Sequence, residues 1–227
     1  MSLDKLQIKD FIKYTCDGWK ELLQDLWNKH GDNIQQKINN KIFCVEVLPN
    51  KKDVFRAFNF FPMRNLRVVI LGQDPYINKG EGNGLCFSVN NECKIPPSLK
   101  NIFKELHRCY RENRIETDLS DWANQGVLLL NTALTVLENT SGSHSKIWKS
   151  FTHDLLEHIG QYSENVVFIL WGSHAQSYKN LINVDKNLIL EHSHPSPLSR
   201  KSFVGNNHFI LCNEYLKSNG YNEIKWI

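Results

Sequence analysis

Val68-Val69-Ile70-Leu71-Gly72-Gln73-Asp74-Pro75-Tyr76 is the stretch from which the fold is read. Four β-branched or leucine side chains stand in a row without a helical period. The run stops at Gly72, which suits a strand covered on both faces. Open α/β sheets place ligands beyond the carboxyl ends of such strands, so Asp74 falls where chemistry is usually found. Taken alone, the stretch favours an ordinary Asp-Pro turn starter whose carboxylate caps local amides. The rest of the chain has to choose between the two.

Three further runs repeat the pattern. Gln125-Gly126-Val127-Leu128-Leu129-Leu130-Asn131 ends in an amide, and Val166-Val167-Phe168-Ile169-Leu170-Trp171-Gly172-Ser173 ends in small residues. Asn187-Leu188-Ile189-Leu190-Glu191 leads into His192-Ser193-His194-Pro195-Ser196-Pro197-Leu198-Ser199. Gly84-Leu85-Cys86-Phe87-Ser88-Val89 is one more short apolar run. Between them lie helical patterns: residues 10–29, with apolar residues at mixed three- and four-residue spacings, and residues 98–106 and 148–159. Residues 53–61 suggest a short helix capped by Asp53 and ended by Pro62, and Ser98 is a candidate cap for the helix after Pro96-Pro97. Residues 30–50 hold a polar Asn/Gln/Lys segment, then Ile42-Phe43-Cys44-Val45 and Leu48-Pro49. Buried strands alternating with helices predict one parallel α/β sheet.

The chain of 227 residues is long enough to bury a full core without metals or disulfides. A net charge of +3 permits a polyanionic partner without demanding one, because a local basic face matters more than the sum. Six scattered cysteines with no C-x-x-C pair argue against a zinc site and against a secreted disulfide framework. Reduced thiols in a nuclear or cytoplasmic compartment are expected. Asp4, Lys5 and Asp10 interrupt any apolar run that would make a signal peptide, and no stretch is long enough to cross a membrane. The sequon Asn139-Thr140-Ser141 therefore carries no weight.

In a parallel sheet the four strand ends lie along one rim. Asp74, Asn131, Gly172-Ser173 and His194 would then surround one ligand with a carboxylate, an amide, exposed backbone and an imidazole. Singly, each is an ordinary turn or loop residue; together they resemble an active site. No G-x-S-x-G elbow points to a serine nucleophile, and no second histidine or carboxylate at helical ligand spacing points to a metal. The loop Gly80–Gly84 lacks the spacing and the lysine-hydroxyl pair of a phosphate loop.

Five motifs carry a family resemblance: Gly72-Gln73-Asp74-Pro75-Tyr76, Gly84–Val89, Leu128-Leu129-Leu130-Asn131, Leu170-Trp171-Gly172-Ser173-His174-Ala175-Gln176 and His194-Pro195-Ser196-Pro197-Leu198-Ser199. In order and spacing, over roughly residues 40–227, they resemble the family 1 uracil-DNA glycosylases. The resemblance implies a single α/β domain over 1–227 with a central four-stranded parallel sheet flanked by helices, residues 1–40 being an N-terminal helical extension packed on it. It implies uracil excision from single- or double-stranded DNA in base-excision repair, with no cofactor or metal. A proteinaceous inhibitor of the enzyme is a possible partner, and the protein is expected to act as a monomer.

By the same resemblance Asp74 and His194 are catalytic. Asp74 stands at the sugar and orients the attacking water; His194, as a neutral donor, serves uracil O2 with help from the Gln73 backbone. Phe87 stacks on uracil, Asn131 reads its Watson–Crick edge and Tyr76 stands against C5, where a thymine methyl would clash. Ser98, Ser173, Ser196 and Ser199 grip the DNA backbone, Leu198 enters the space left by the flipped base, and Arg200 is a candidate DNA contact beside Lys201. One departure matters: Ile77 stands where the family usually has histidine, which predicts a slower reaction. The proline-rich loop before Ser98 is also thinner, and the loop after Ser199 is about one residue shorter than the family's.

Ile77 is also the one feature favouring a rival reading, a DNA-binding or processivity module with weakened catalysis. A glycosylase for another base and a nucleotide-binding enzyme using the Gly80–Gly84 loop are the remaining rivals.

Overall fold

The computed structural model describes residues 7–39 and 45–227. The expected run Ile42–Val45 falls outside the described residues except for Val45. In chain order the elements are α1 (Trp19–Asn39), β1 (Val47–Leu48), β2 (Val68–Gly72), α2 (Pro97–Tyr110), α3 (Ser120–Ala123) and β3 (Val127–Asn131). They continue with β4 (Val136–Leu137), α4 (Ser145–Tyr162), β5 (Val167–Trp171), α5 (Ser173–Gln176), β6 (Leu188–His192) and α6 (His208–Ser218).

The four long strands form one parallel sheet in the order β3-β2-β5-β6. Every residue of β2, β3 and β5 is buried, which is why these stretches carry continuous apolar runs and not alternation. Each such side chain contributes roughly 1.5–3 kcal/mol on burial. Strand β6 lies at the sheet edge and is half-buried. In register, Gly72 faces Asn131 and Trp171 faces His192, so the strand ends lie level along one rim. β1 and β4 pair separately as a short antiparallel ribbon.

Three local expectations are corrected, and one apolar run is given its form. The pattern read as a helix over 10–29 is a 3₁₀ segment, Ile8–Tyr14, followed by α1 from Trp19 to Asn39. Glu21 accepts a hydrogen bond from the Gly18 amide (2.9 Å), which starts the helix there. Ile34 and Ile38 extend the buried face through the polar segment. Residues 53–61 form isolated 3₁₀ turns at Lys51–Asp53 and Arg56–Phe58, and Asp53 caps nothing. Burial of Val54, Phe55, Ala57, Phe58 and Phe61 outweighs helical period in that segment. Helix α2 has Pro96 at its cap position and Pro97 as its first residue, so Ser98 lies inside the first turn. Finally, Gly84–Val89 is a turn in which only Val89 makes a bridge, to Gly82.

Helix α1 packs along α4. Its Trp27 ring lies 6.0 Å from Phe55, 6.3 Å from Trp148 and 6.5 Å from Phe151. Lys29 and His30 both bond Asp154 of α4, at 2.7 and 2.8 Å.

Candidate active site

The rim is assembled by close approach of backbone. A Cβ on Gly72 would lie 2.3 Å from the Asn131 side-chain oxygen and 2.7 Å from the Cys86 Cβ. Glycine at the end of β2 thus makes room for the Asn131 amide, which is itself buried. Beyond the strands the pairing continues: the Thr132 amide donates to the Gly72 carbonyl at 3.1 Å and the Ala133 amide to the Gln73 carbonyl at 2.9 Å. The Gln73 side chain is exposed, so the backbone is what this residue brings to the rim.

Asp74 sits two residues past β2. Its Oδ2 accepts from the Ser141 hydroxyl at 3.0 Å and from the Gly142 amide at 2.5 Å. The loop carrying these donors is tied back to the same turn, since the Asn139 amide donates to the Ile77 carbonyl at 2.9 Å. The carboxylate is therefore oriented by the segment after β4, a contact no sequence spacing announced.

Phe87 has a left-handed backbone (φ +62°), unusual for an aromatic residue. The turn is held by the Cys86 amide on the Leu129 carbonyl and the Cys86 thiol on the Ile70 carbonyl (3.1 and 3.3 Å). It presents the ring 5.7 Å from Trp171 and 5.8 Å from His194. The Tyr76 hydroxyl donates to the Phe87 carbonyl at 3.2 Å, and burial first, then the nearby Cys86 and Glu81, push the phenol pKa upward. Tyr76 is thus a fixed neutral side chain between the two segments.

His194 approaches β5 at Gly172, which has φ +88° and whose added Cβ would lie 2.8 Å from the His194 Cβ. The Ser196 amide donates to His194 Nδ1 at 3.0 Å, so the ring proton resides on Nε2. Burial, with His174 second, lowers the His194 pKa and keeps the imidazole neutral. His194 is therefore a neutral N–H donor at the rim.

Two residues escaped the sequence reading. His174 Nε2 meets the Thr132 hydroxyl at 2.7 Å, and that hydroxyl donates to the Gln73 carbonyl at 3.0 Å, which makes His174 the donor to Thr132. Burial lowers the His174 pKa, opposed by Asp74. His174 lay inside a recognised motif, but only the tertiary contact separates it from its neighbours.

The outer residues fall around the same rim. Leu198 is 92% exposed, against the core character of most leucines here. The Ser196 hydroxyl accepts from the Leu198 amide (3.2 Å), and the Ser199 hydroxyl donates to the His194 carbonyl (2.7 Å). Ser173 opens α5 and is exposed, Ser98 is half-buried in the first turn of α2, and Arg200 and Lys201 are exposed. Among the described residues one group with metal-ligating atoms within 4.8 Å exists, His153, Asp154 and Glu157 of α4. His153 and Glu157 do stand at helical ligand spacing, contrary to expectation, but Asp154 is already engaged by Lys29 and His30. No helix among the described residues is long and apolar enough to cross a membrane.

An α/β sheet whose strand ends gather a carboxylate, a neutral histidine donor, a buried amide and an aromatic ring is the framework of an enzyme acting on a planar, hydrogen-bonding ligand. Residues 58–217 match the family model of the uracil DNA glycosylase superfamily, and the chain belongs to that family. A uracil-DNA glycosylase of Borrelia turicatae is 45% identical over 207 residues, covering 88% of this chain and 93% of its own. One from Francisella tularensis subsp. novicida is 49% identical over 184 residues, covering 79% and 84%. The crystal structure of mimivirus uracil-DNA glycosylase superposes with a TM-score of 0.87 at 27% identity, over 98% of this chain and 90% of that one. A single-residue variant of the mimivirus protein, solved in complex with UGI, superposes with a TM-score of 0.88 at 28% identity, over 98% and 91% of the two chains.

Proposed function

We propose that the protein excises uracil from DNA by hydrolysing the C1′–N1 glycosidic bond of a flipped-out deoxyuridine. The observation that carries this reading is that the level strand ends bring the Asp74 carboxylate, a neutral His194 donor, Asn131 and Phe87 to one rim. A bond inside a stacked duplex is out of reach, so the nucleotide leaves the stack and enters the pocket. There Phe87 stacks on the base, and Asn131 accepts from uracil N3–H and donates to O4. Cytosine presents the reverse pattern, and each buried group left unpaired costs about 1–3 kcal/mol. Tyr76 occupies the space a thymine methyl would need.

As the bond breaks, its electron pair goes to uracil and positive charge grows on the sugar. The Asp74 carboxylate stabilises the sugar cation, and the His194 Nε2–H, with the Gln73 backbone, stabilises charge on O2. Water oriented by Asp74 adds to C1′, its oxygen leaving an abasic site and its proton balancing the released uracil. His174 and Thr132 hold the Gln73 carbonyl and so steady the peptide beside Asp74.

Leu198 would fill the gap left by the base, while Ser98, Ser173, Ser196, Ser199 and Arg200 contact the backbone. The gathering of His194, Ser196, Leu198 and Ser199 in one loop supports that part. UGI, solved in complex with a variant of the mimivirus relative, is the inhibitor expected to bind here. The protein would work as a monomer inside the cell without a bound cofactor, residues 1–227 acting as one unit.

The test is incubation with a uracil-containing oligonucleotide and detection of abasic sites, with Asp74→Asn as control. Abasic product from the unaltered protein and almost none from the variant is expected. Binding without product would favour a DNA-binding module, the reading to which Ile77 lends its only support.

A further inference from the structure

The loop between β6 and α6 carries Ser196, Leu198 and Ser199, yet most of its outer residues are exposed. Something must hold it for an exposed leucine to act as a wedge. Helix α2 meets it at both ends. At the leading end the Asn101 amide donates to the Pro195 carbonyl at 2.8 Å. At the trailing end Glu105 accepts from the Gly205 amide at 2.6 Å and the Asn207 amide at 2.8 Å.

Asn101 and Glu105 are four residues apart and share one face of α2. Ser98 precedes them by one turn on that face, and Arg108 follows. Glu105 is fully buried, although a buried carboxylate is costly unless its partners are complete. Here they are: Arg108 adds Nε at 2.9 Å and Nη2 at 2.8 Å to the two loop amides. Burial alone would raise the Glu105 pKa, but these donors together hold it below the usual range. Arg108 also donates to the Asn207 side chain. Gly205 and Asn207 both have left-handed backbones (φ +104° and +60°), which is how their amides converge on one carboxylate at the start of α6. A neutral apolar residue at 105 would leave those amides unpaired.

We propose that α2 is the strut of the wedge loop, with Asn101 and Glu105 acting as positioning residues that fix Leu198 for nucleotide flipping. Their bonds go to the loop backbone and to Arg108, and none goes to Asp74, Asn131 or Phe87. Their contribution therefore falls mainly on the step in which the base leaves a duplex, the His194 ring being held separately by Gly172 and the Ser196 amide. This rests on the proposed uracil excision and on Leu198 as its wedge.

The experiment measures kcat/KM on double-stranded and single-stranded uracil oligonucleotides for Asn101→Ala and Glu105→Gln, with Tm recorded for each. A displaced loop is expected to lower the duplex-to-single-strand ratio about tenfold or more. In a Leu198→Ala background the duplex penalty of Asn101→Ala should shrink, because the loop then has no wedge to place. Parallel loss on both substrates, or additive penalties in that cycle, would overturn the proposal. If Glu105→Gln fails to fold, the half-exposed Asn101 variant decides alone. Absence of uracil release by the unaltered protein on either substrate is a different failure, that of the function itself.

Discussion

At the scale of single residues, the chemistry turns on which group orients Asp74. Two donors from the loop after β4, Ser141 and Gly142, hold one carboxylate oxygen, while Ile77 offers only its carbonyl to that loop. Replacing Ile77 with histidine restores the residue the family usually carries at that position, and uracil release should rise about tenfold. An unchanged rate in a single-turnover assay would show that the Ser141–Gly142 turn already suffices. Gly72→Ala tests the recognition side. Its Cβ would fall 2.3 Å from the Asn131 oxygen, so the amide must move or the strand end must give. The expected loss is roughly 1–3 kcal/mol of recognition, about tenfold to a hundredfold in kcat/KM, with uracil product inhibition weakened in step. The acid limb of activity should lie below the ordinary imidazole range, because burial and His174 depress the His194 pKa. His174→Ala removes one of those causes and should shift the limb to higher pH in a kcat/KM profile.

At the scale of elements, the loop from His194 to Lys201 stands on β5 through Gly172. Alanine there meets the His194 Cβ at 2.8 Å in a backbone conformation that disfavours any side chain. Gly172→Ala should cost about 1 kcal/mol or more in stability by urea unfolding and should also lower kcat if the histidine that must yield is, as proposed, the donor to the base. Arg200 and Lys201 lie just beyond Leu198, exposed, which suits either phosphate binding or a solvated turn. If they touch phosphates, the double Gln variant weakens duplex binding and lowers the slope of log Kd against log salt by about 0.9 for each phosphate no longer neutralised. An unaltered slope in a fluorescence-anisotropy titration would assign them to solvent. Two of the reassigned segments share a cause. The aromatic side chains of 53–61 pack against α1 and α4, and Cys86 in 84–89 bonds β2 and β3, so tertiary contacts overrule local periodicity.

At the scale of the whole molecule, stability is tied to pH through a buried histidine remote from Asp74. His208 at the start of α6 accepts the Trp171 indole N–H at 3.0 Å, and burial first, then His192, lower its pKa to about 4. Unfolded, the same imidazole titrates near 6.5. The unfolded chain therefore binds the extra proton first. This stability is full above about pH 6.5 and is lost as pH falls toward 4, up to about 3 kcal/mol for this one group. Urea unfolding across that window should show a pH dependence that flattens in His208→Gln; equal slopes in the two proteins would remove His208 as the cause.

The strands, the sheet type and the four rim positions were legible in the sequence, because a continuous apolar run ending in a polar residue suits a strand covered on both faces and little else. Asp74, Asn131 and His194 could be placed on one rim from that pattern, and five motifs in order supplied the family. Only the tertiary structure decided how those groups are held. Gly72 and Gly172 fit because other chain segments press on them, and the Asp74 donors arrive from 67 and 68 residues away. The His174–Thr132 link and the Glu105 anchor likewise join elements far apart in sequence. Local pattern records which face of an element is buried; it does not record which distant amide or hydroxyl completes a carboxylate once the elements are packed.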